Sequence, residues 1–197
     1  MRLFADQGSG ATSIRAVAEQ AGVAPGLVSH HFGSKQGLRD ACDDYVLEYL
    51  REIIKQGVDE QGVADPAYLD QIYRSAADVM RYVARALVDG SDGAAALFDS
   101  FVALTEEYLA THPSHGGASQ SDPRTMAAVS VAMRLGVWVL YPHLLRSVGA
   151  ETLTPQLMAR LSAAVLEVMS EDFAGADIVA LTRTGLARYQ RTSDEEE

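Results

Sequence analysis

Apolar residues in this chain recur three and four positions apart rather than in alternation, and that spacing predicts helices almost from end to end. Between Ser34 and about Gln56 the apolar positions include Leu38, Tyr45, Leu47, Leu50 and Ile54. Gly57 to Pro66 is a polar break. Tyr68 to about Val88 carries Leu69, Ile72, Tyr73, Ala76, Val79, Met80 and Val83, as one helix or two in succession. Gly90-Ser91-Asp92-Gly93 punctuates, and Ala94 to about Thr111 follows with Leu97, Phe98, Phe101, Leu104 and Tyr108. His112 to Pro123 is rich in Gly, Ser, Pro and His, which predicts a loop. Asp122-Pro123 and Thr154-Pro155 each set a capping residue before a first-turn proline, predicting helices to about Ser147 and about Phe173. The pattern then weakens toward Asp-Glu-Glu-Glu, so residues 181–197 are expected to form a partly disordered tail. No internal repeat is present.

The start of the chain is patterned differently. Thr12 or Ser13 can cap a short helix over Ile14 to Ala21, whose Ile14, Val17, Ala18 and Ala21 share one face. Ala18 is small where a second helix must cross closely, and Gly22 permits the sharp turn that Val23 is expected to plug. Ala24-Pro25 opens a second short helix, in which Leu27 and Val28 are expected to face inward before Phe32 closes the unit. Gly33 ends it, Ser34 caps a third helix, and Lys35 lies in that helix's first turn. Two short helices joined by a tight glycine turn are a helix-turn-helix, and the second is sized for the major groove of B-DNA.

The chemistry follows from residue types. Ala24, Pro25, Gly26, Ser29, His30 and His31 bring the second helix to base edges, and Leu27, where exposed, can touch a thymine methyl. Backbone N–H groups near Thr12, Ser13 and Ser34 can hold phosphates, with Arg15 and Lys35 as cationic contacts. His30 and His31 point about 100° apart on a helix, which disfavours a shared metal ion. His112 and His115 lack a third ligand, so no metal site is assigned.

Charge sharpens this division. Residues 1–39 carry +2 and the remainder −13, within a 197-residue chain of net charge −11. A slightly basic head on an acidic body suggests two tasks, and so acidic a chain is a poor general coat for nucleic acid. Cys42 is the single cysteine, so no internal disulfide forms and it is read as a small packed residue. The best candidate for a membrane span, Met126 to Leu145, is divided by Arg134 and interrupted by Pro142, and no secretory signal opens the chain. A soluble, cytoplasmic protein without a membrane partner is expected. No phosphate loop, nucleophile triad or metalloenzyme motif is present, so no catalytic residue and no cofactor are assigned.

The body supplies Tyr68, Tyr73, Met80, Phe98, Phe101, Tyr108, Met133 and Trp138 as large side chains able to line an apolar cavity, with tyrosine hydroxyls to orient a ligand. The last two long helices are apolar over more than one face, through Ala128, Val131 and Leu135 and through Leu161, Ala164, Val165 and Val168. Such helices need partners, and two copies of the pair would make a four-helix dimer interface.

The head resembles the DNA-binding segment of the TetR family of bacterial transcriptional regulators. The likeness lies in Leu3-Phe4-Ala5 and Gly8, Thr12-Ser13-Ile14-Arg15, Gly22-Val23, Gly26-Leu27-Val28 and His30-His31-Phe32-Gly33-Ser34-Lys35 with Leu38. Ser29 and His31, where the family often has Tyr, and Pro25 depart from it. Family heads usually carry another two turns, often with basic residues, before Leu3-Phe4, and the first helix here is short by comparison. The resemblance implies an all-α protein: a three-helix head over residues 1–45 and a larger helical bundle over 46–180 that dimerises. It also implies a repressor that binds palindromic operator DNA and releases it when a small, largely apolar effector binds. The competing expectation is a helical interaction protein that acts through its acidic body.

Overall fold

The computed structural model describes residues 1–90, 92–112 and 122–170, with residues 173, 179–180 and 182–184. Among them the chain is all helix, and no strand is present. Two units are distinguished, Met1–Leu153 and Thr154–Glu197.

The first unit begins with α1 (Arg2–Ala11), α2 (Ile14–Ala21), α3 (Pro25–Phe32) and α4 (Lys35–Ile54). A boundary near residue 45 falls inside α4, a continuous helix shared by head and body. The α4 helix ends in a π-helical turn, Lys55–Asp59, and a 3-10 turn, Gly62–Ala64, where the sequence shows only a polar break. Then α5 (Pro66–Asp89) runs as one helix, opened by Asp65, whose carboxylate accepts the Ala67 N–H, and closed by left-handed Gly90. The α6 helix spans Asp92–Thr111. Most of the expected His112–Pro123 loop, including His115, and nearly all of the 181–197 tail lie outside the described residues.

The single helix expected from Pro123 to Ser147 is two. The α7 helix (Pro123–Val139) stops at Leu140, and α8 (Tyr141–Ser147) leaves at a bend of 62°. Pro142 is the reason, since it has no N–H and its ring crowds the preceding turn. No single helix among the described residues is long and apolar enough to cross a membrane. In the second unit α9 (Pro155–Val168) opens with Thr154, whose hydroxyl accepts the Leu157 N–H, and ends short of Phe173.

The core of the first unit is built from α1, α4, α5, α6 and α7, with Phe4, Leu38, Val46, Val79, Val83, Leu97, Phe101, Ala127, Val131 and Leu135 among its buried members. Tyr82 lies at its centre, 2% exposed. Its ring packs against Phe4 of α1, centroids 6.2 Å apart, and its hydroxyl donates to the Asp43 carboxylate of α4 at 2.6 Å. One helix of the body thus grips two helices of the head.

Along α1 the grip is ionic. Arg2 meets Asp78 at 2.6 Å, Asp6 meets Arg81 at 2.5 Å, and the Ser9 N–H donates to Asp89, itself paired with Arg85. Gly8 sits opposite the last pair with φ 77° and ψ 171°, a backbone region open essentially to glycine alone. A Cβ there would come within 2.7 Å of Arg85 and Asp89 side-chain atoms.

Burial holds the Asp43 carboxyl above the usual carboxylate range, although the Tyr82 hydroxyl and the Arg39 guanidinium act in the opposite sense. A raised native pKa means that the folded state binds its proton more tightly than the unfolded state does. The stability from this group is therefore complete below the ordinary carboxylate pKa and lost as pH rises through the raised one. Asn at this position can still accept the tyrosine hydroxyl but does not titrate. Asp43→Asn is therefore expected to gain stability relative to wild type as pH rises, levelling off above the Asp43 pKa, in urea melts across a pH series.

Candidate nucleic-acid interface

The head is built from local signals. Ser13 has extended backbone and accepts the Ala16 N–H at 3.1 Å, so Ser13 rather than Thr12 caps α2. At the other end Gly22 is left-handed, its N–H reaching Glu19 O while the Val23 N–H reaches Ala18 O, the paired bonds of a Schellman turn. Ala18 is fully buried where α2 and α3 approach. Ala24 precedes Pro25, which opens α3 with a residue that needs no hydrogen-bond acceptor for a backbone N–H. Gly33 closes α3, and the Ser34 hydroxyl accepts the Gly37 N–H at 3.0 Å to start α4.

This frame exposes nearly all of α3. Val28 alone is buried and Phe32 is half-buried, while Ala24, Pro25, Gly26, Ser29, His30 and His31 all face solvent. Leu27, expected to turn inward with Val28, is 56% exposed instead. A helix of eight residues pinned by one buried valine has no room for a second inward residue next to it, since neighbours point about 100° apart. Val23 is likewise 37% exposed rather than a buried plug. His31 sets its ring edge-on against Phe32, with centroids 4.7 Å apart.

Two expected contact residues are placed differently. Thr12 is 2% exposed, and its hydroxyl donates inward to the carbonyls of Gly8 at 2.8 Å and Leu3 at 3.1 Å. It ties the kinked end of α1 together and does not face out. Lys35 is half-buried, and its ammonium donates to the Ser9 carbonyl at 2.9 Å, which binds the start of α4 to α1. Arg15 is exposed at the start of α2, with no ion-pair partner among the described residues. Ser13 and Ser34 are exposed at the N-terminal ends of α2 and α4, where backbone N–H groups and the helix dipole favour anions.

In the body, the expected ligand set is scattered. Phe101 is in the core, while Met80 and Phe98 are partly buried against it. The Tyr68 hydroxyl donates to Ile53 O at 3.1 Å, fastening the π-helical turn at the end of α4. Met133 is 50% exposed, Tyr73 and Trp138 are half-buried, and Tyr108 alone lines an open cleft. The dimer set divides too. Val131 and Leu135 are each 6% exposed inside the protomer's own core, and Ala128 packs beside them, so these positions are not free for a partner. The outward face of α7 carries Met126, Val129, Met133 and Leu140 instead. These recur at spacings of three, four and seven, the same period as the core face but half a turn round. In α9, Leu161 and Val165 are half-buried, while Ala164 and Val168 are exposed together with Leu166 and Met169.

A short helix held outward by a glycine turn, flanked by two helix N-termini and set on a helical body, defines a helix-turn-helix transcriptional regulator. Residues 1–42 match the family described as bacterial regulatory proteins, tetR family, and residues 74–174 match the tetracyclin repressor-like C-terminal domain. The chain is 37% identical to the HTH-type transcriptional regulatory protein RaaS of Mycobacterium tuberculosis, over 65% of this chain and 61% of that protein. It is 33% identical to the HTH-type transcriptional repressor Rv3405c of the same species, over 77% of this chain and 74% of that one. A crystal structure of a Rhodococcus sp. protein assigned to the TetR family shares the fold, with a TM-score of 0.55 and 22% identity over 86% of this chain and 93% of that chain. The chain belongs to the TetR family of transcriptional regulators. Both of these relatives are described as transcriptional regulators or repressors.

The two hydroxyls of the head separate folding from surface. Thr12→Val keeps the shape but removes the buried hydroxyl's bond to the α1 carbonyls, and is expected to cost about 1–3 kcal/mol in urea denaturation. Ser29→Ala on the exposed face is expected to stay within about 0.5 kcal/mol of wild type in the same assay.

Proposed function

We propose that the protein is a homodimeric repressor that reads a palindromic operator in the bacterial cytoplasm and leaves it when a small effector binds the body. The exposed face of α3 carries this reading: Leu27, Ser29 and His30 stand free on a helix whose only buried side chain is Val28. A leucine can meet a thymine methyl, and serine and histidine can hydrogen-bond to base edges. Arg15 and the N-terminal ends of α2 and α4 supply phosphate contacts that set the register. Lys35, already holding Ser9, acts mainly by joining α4 to α1.

The test is a titration of the purified protein against palindromic fragments from the DNA upstream of its own gene, at several salt concentrations. Specific, salt-dependent binding is expected. Arg15→Ala is expected to leave the preferred sequence unchanged and to reduce the salt slope by about 1 for each head in the complex. Failure to bind any such fragment at low salt would overturn the reading.

The dimer is proposed to form through the outward stripe of α7, Val129, Met133 and Leu140, rather than through Val131 and Leu135. An apolar stripe of that kind on a folded helix favours a second apolar surface. Two heads spaced about 34–36 Å apart could then engage successive half-sites. Met133→Glu is expected to shift the protein from dimer to monomer in analytical ultracentrifugation. Val131→Ala is expected to lower the melting temperature with little change in assembly state.

A further inference from the structure

The last turns of α4 and α6 diverge around an open cleft of about 420 Å³. Its chemistry is mixed in an ordered way. Ile54 and Leu104 give it apolar surface. Tyr108 and His112 stack face to face, with centroids 4.4 Å apart and ring planes 17° apart, so they form a single aromatic block. Arg51 and Lys55 bring two cations from α4 and the turn after it, against one acid, Glu107. Arg51 reaches Glu48 only at 3.5 Å, and Lys55 has no ion-pair partner among the described residues. The cleft's two basic side chains thus outnumber its one acid, on a chain of net charge −11.

We propose that this cleft is an effector site for a small molecule with a flat apolar body and a single carboxylate. The ring would pack against the outside of the Tyr108–His112 stack, and the carboxylate would meet Arg51 and Lys55. An Arg fork suits a carboxylate's two oxygens, and aromatic faces suit a planar ligand. Glu107 makes the site selective for a monoanion, since a second negative charge would face it.

The proposal rests on the ligand-responsive reading above and gives it a site. The cleft joins the far end of α4 to α6, and the near end of α4 starts at Ser34, beside α3. The far end is shaped by the π-helical turn, where the Glu60 N–H bonds to Lys55 O and Tyr68 holds Ile53 O. Wide turns of this kind recur at functional sites. A ligand drawing Arg51 and Lys55 toward α6 favours one setting of α4, and so one setting of the head, by differential binding to two states.

Three probes with one ring system separate the contributions: naphthoate, naphthylmethanol and naphthylmethylamine, titrated calorimetrically into the full chain. Naphthoate is expected to bind at least tenfold more tightly than the alcohol and more tightly still than the amine. The double variant Arg51→Gln/Lys55→Gln is expected to lose that preference at an unchanged melting temperature, and Glu107→Gln to tighten naphthoate binding severalfold. Equal binding of the three probes, no binding of naphthoate up to millimolar concentration, or a preference that survives the double variant would each overturn the site. DNA affinity is measured in parallel. Charge-dependent naphthoate binding that leaves DNA affinity untouched would uphold the site and sink the repressor-release reading. Release by naphthoate in the double variant would do the reverse.

Discussion

Tyr82 is the joint on which the molecule turns. It belongs to α5, yet its ring packs on Phe4 of α1 and its hydroxyl is held by Asp43 of α4. A buried phenol needs a partner for its proton, and a buried carboxylate needs a donor. Each satisfies the other, in surroundings where an unpaired group would be costly. Burial and Asp43 together push the Tyr82 hydroxyl pKa up, which favours the protonated form that donates to Asp43. The orientation of the head on the body is therefore fixed from within by one directional bond and one ring contact.

Around that joint the fastening is of another kind. The pairs between Arg2 and Asp78 and between Arg81 and Asp6 are at least partly exposed to solvent, where an ion pair adds little stability and is screened by salt. They set direction more than strength. The carbonyl ties made by Thr12 and Lys35 sit between these two regimes and hold the end of α1 against its own helix and against α4. The head-proximal half of α4 is thus gripped at Asp43 and tethered at Lys35.

Much of this was legible in the sequence, and the limits have physical causes. Helix starts at Ser13, Ser34, Asp122 and Thr154 were readable because capping is a local bond. The stop at Leu140 required weighing Pro142 above an unbroken apolar pattern. Periodicity showed that α7 has more apolar surface than one face can use, but could not say which face the protomer keeps. Val131 and Leu135 went inside and Met133 came out. Hydroxyl direction was equally hidden: Thr12 and Ser13 are adjacent, chemically alike and turned opposite ways. Arg51 and Lys55 carried no motif, because the cleft they line exists only once α4 and α6 are side by side.

The occupation of Lys35 changes what kind of searcher the head can be. That ammonium keeps its charge but is fixed at Ser9 rather than reaching outward, on a chain that is acidic as a whole. A cation held in this way has less reach toward a phosphate than one on a free side chain. Discrimination then falls to shape and hydrogen bonding at the correct site.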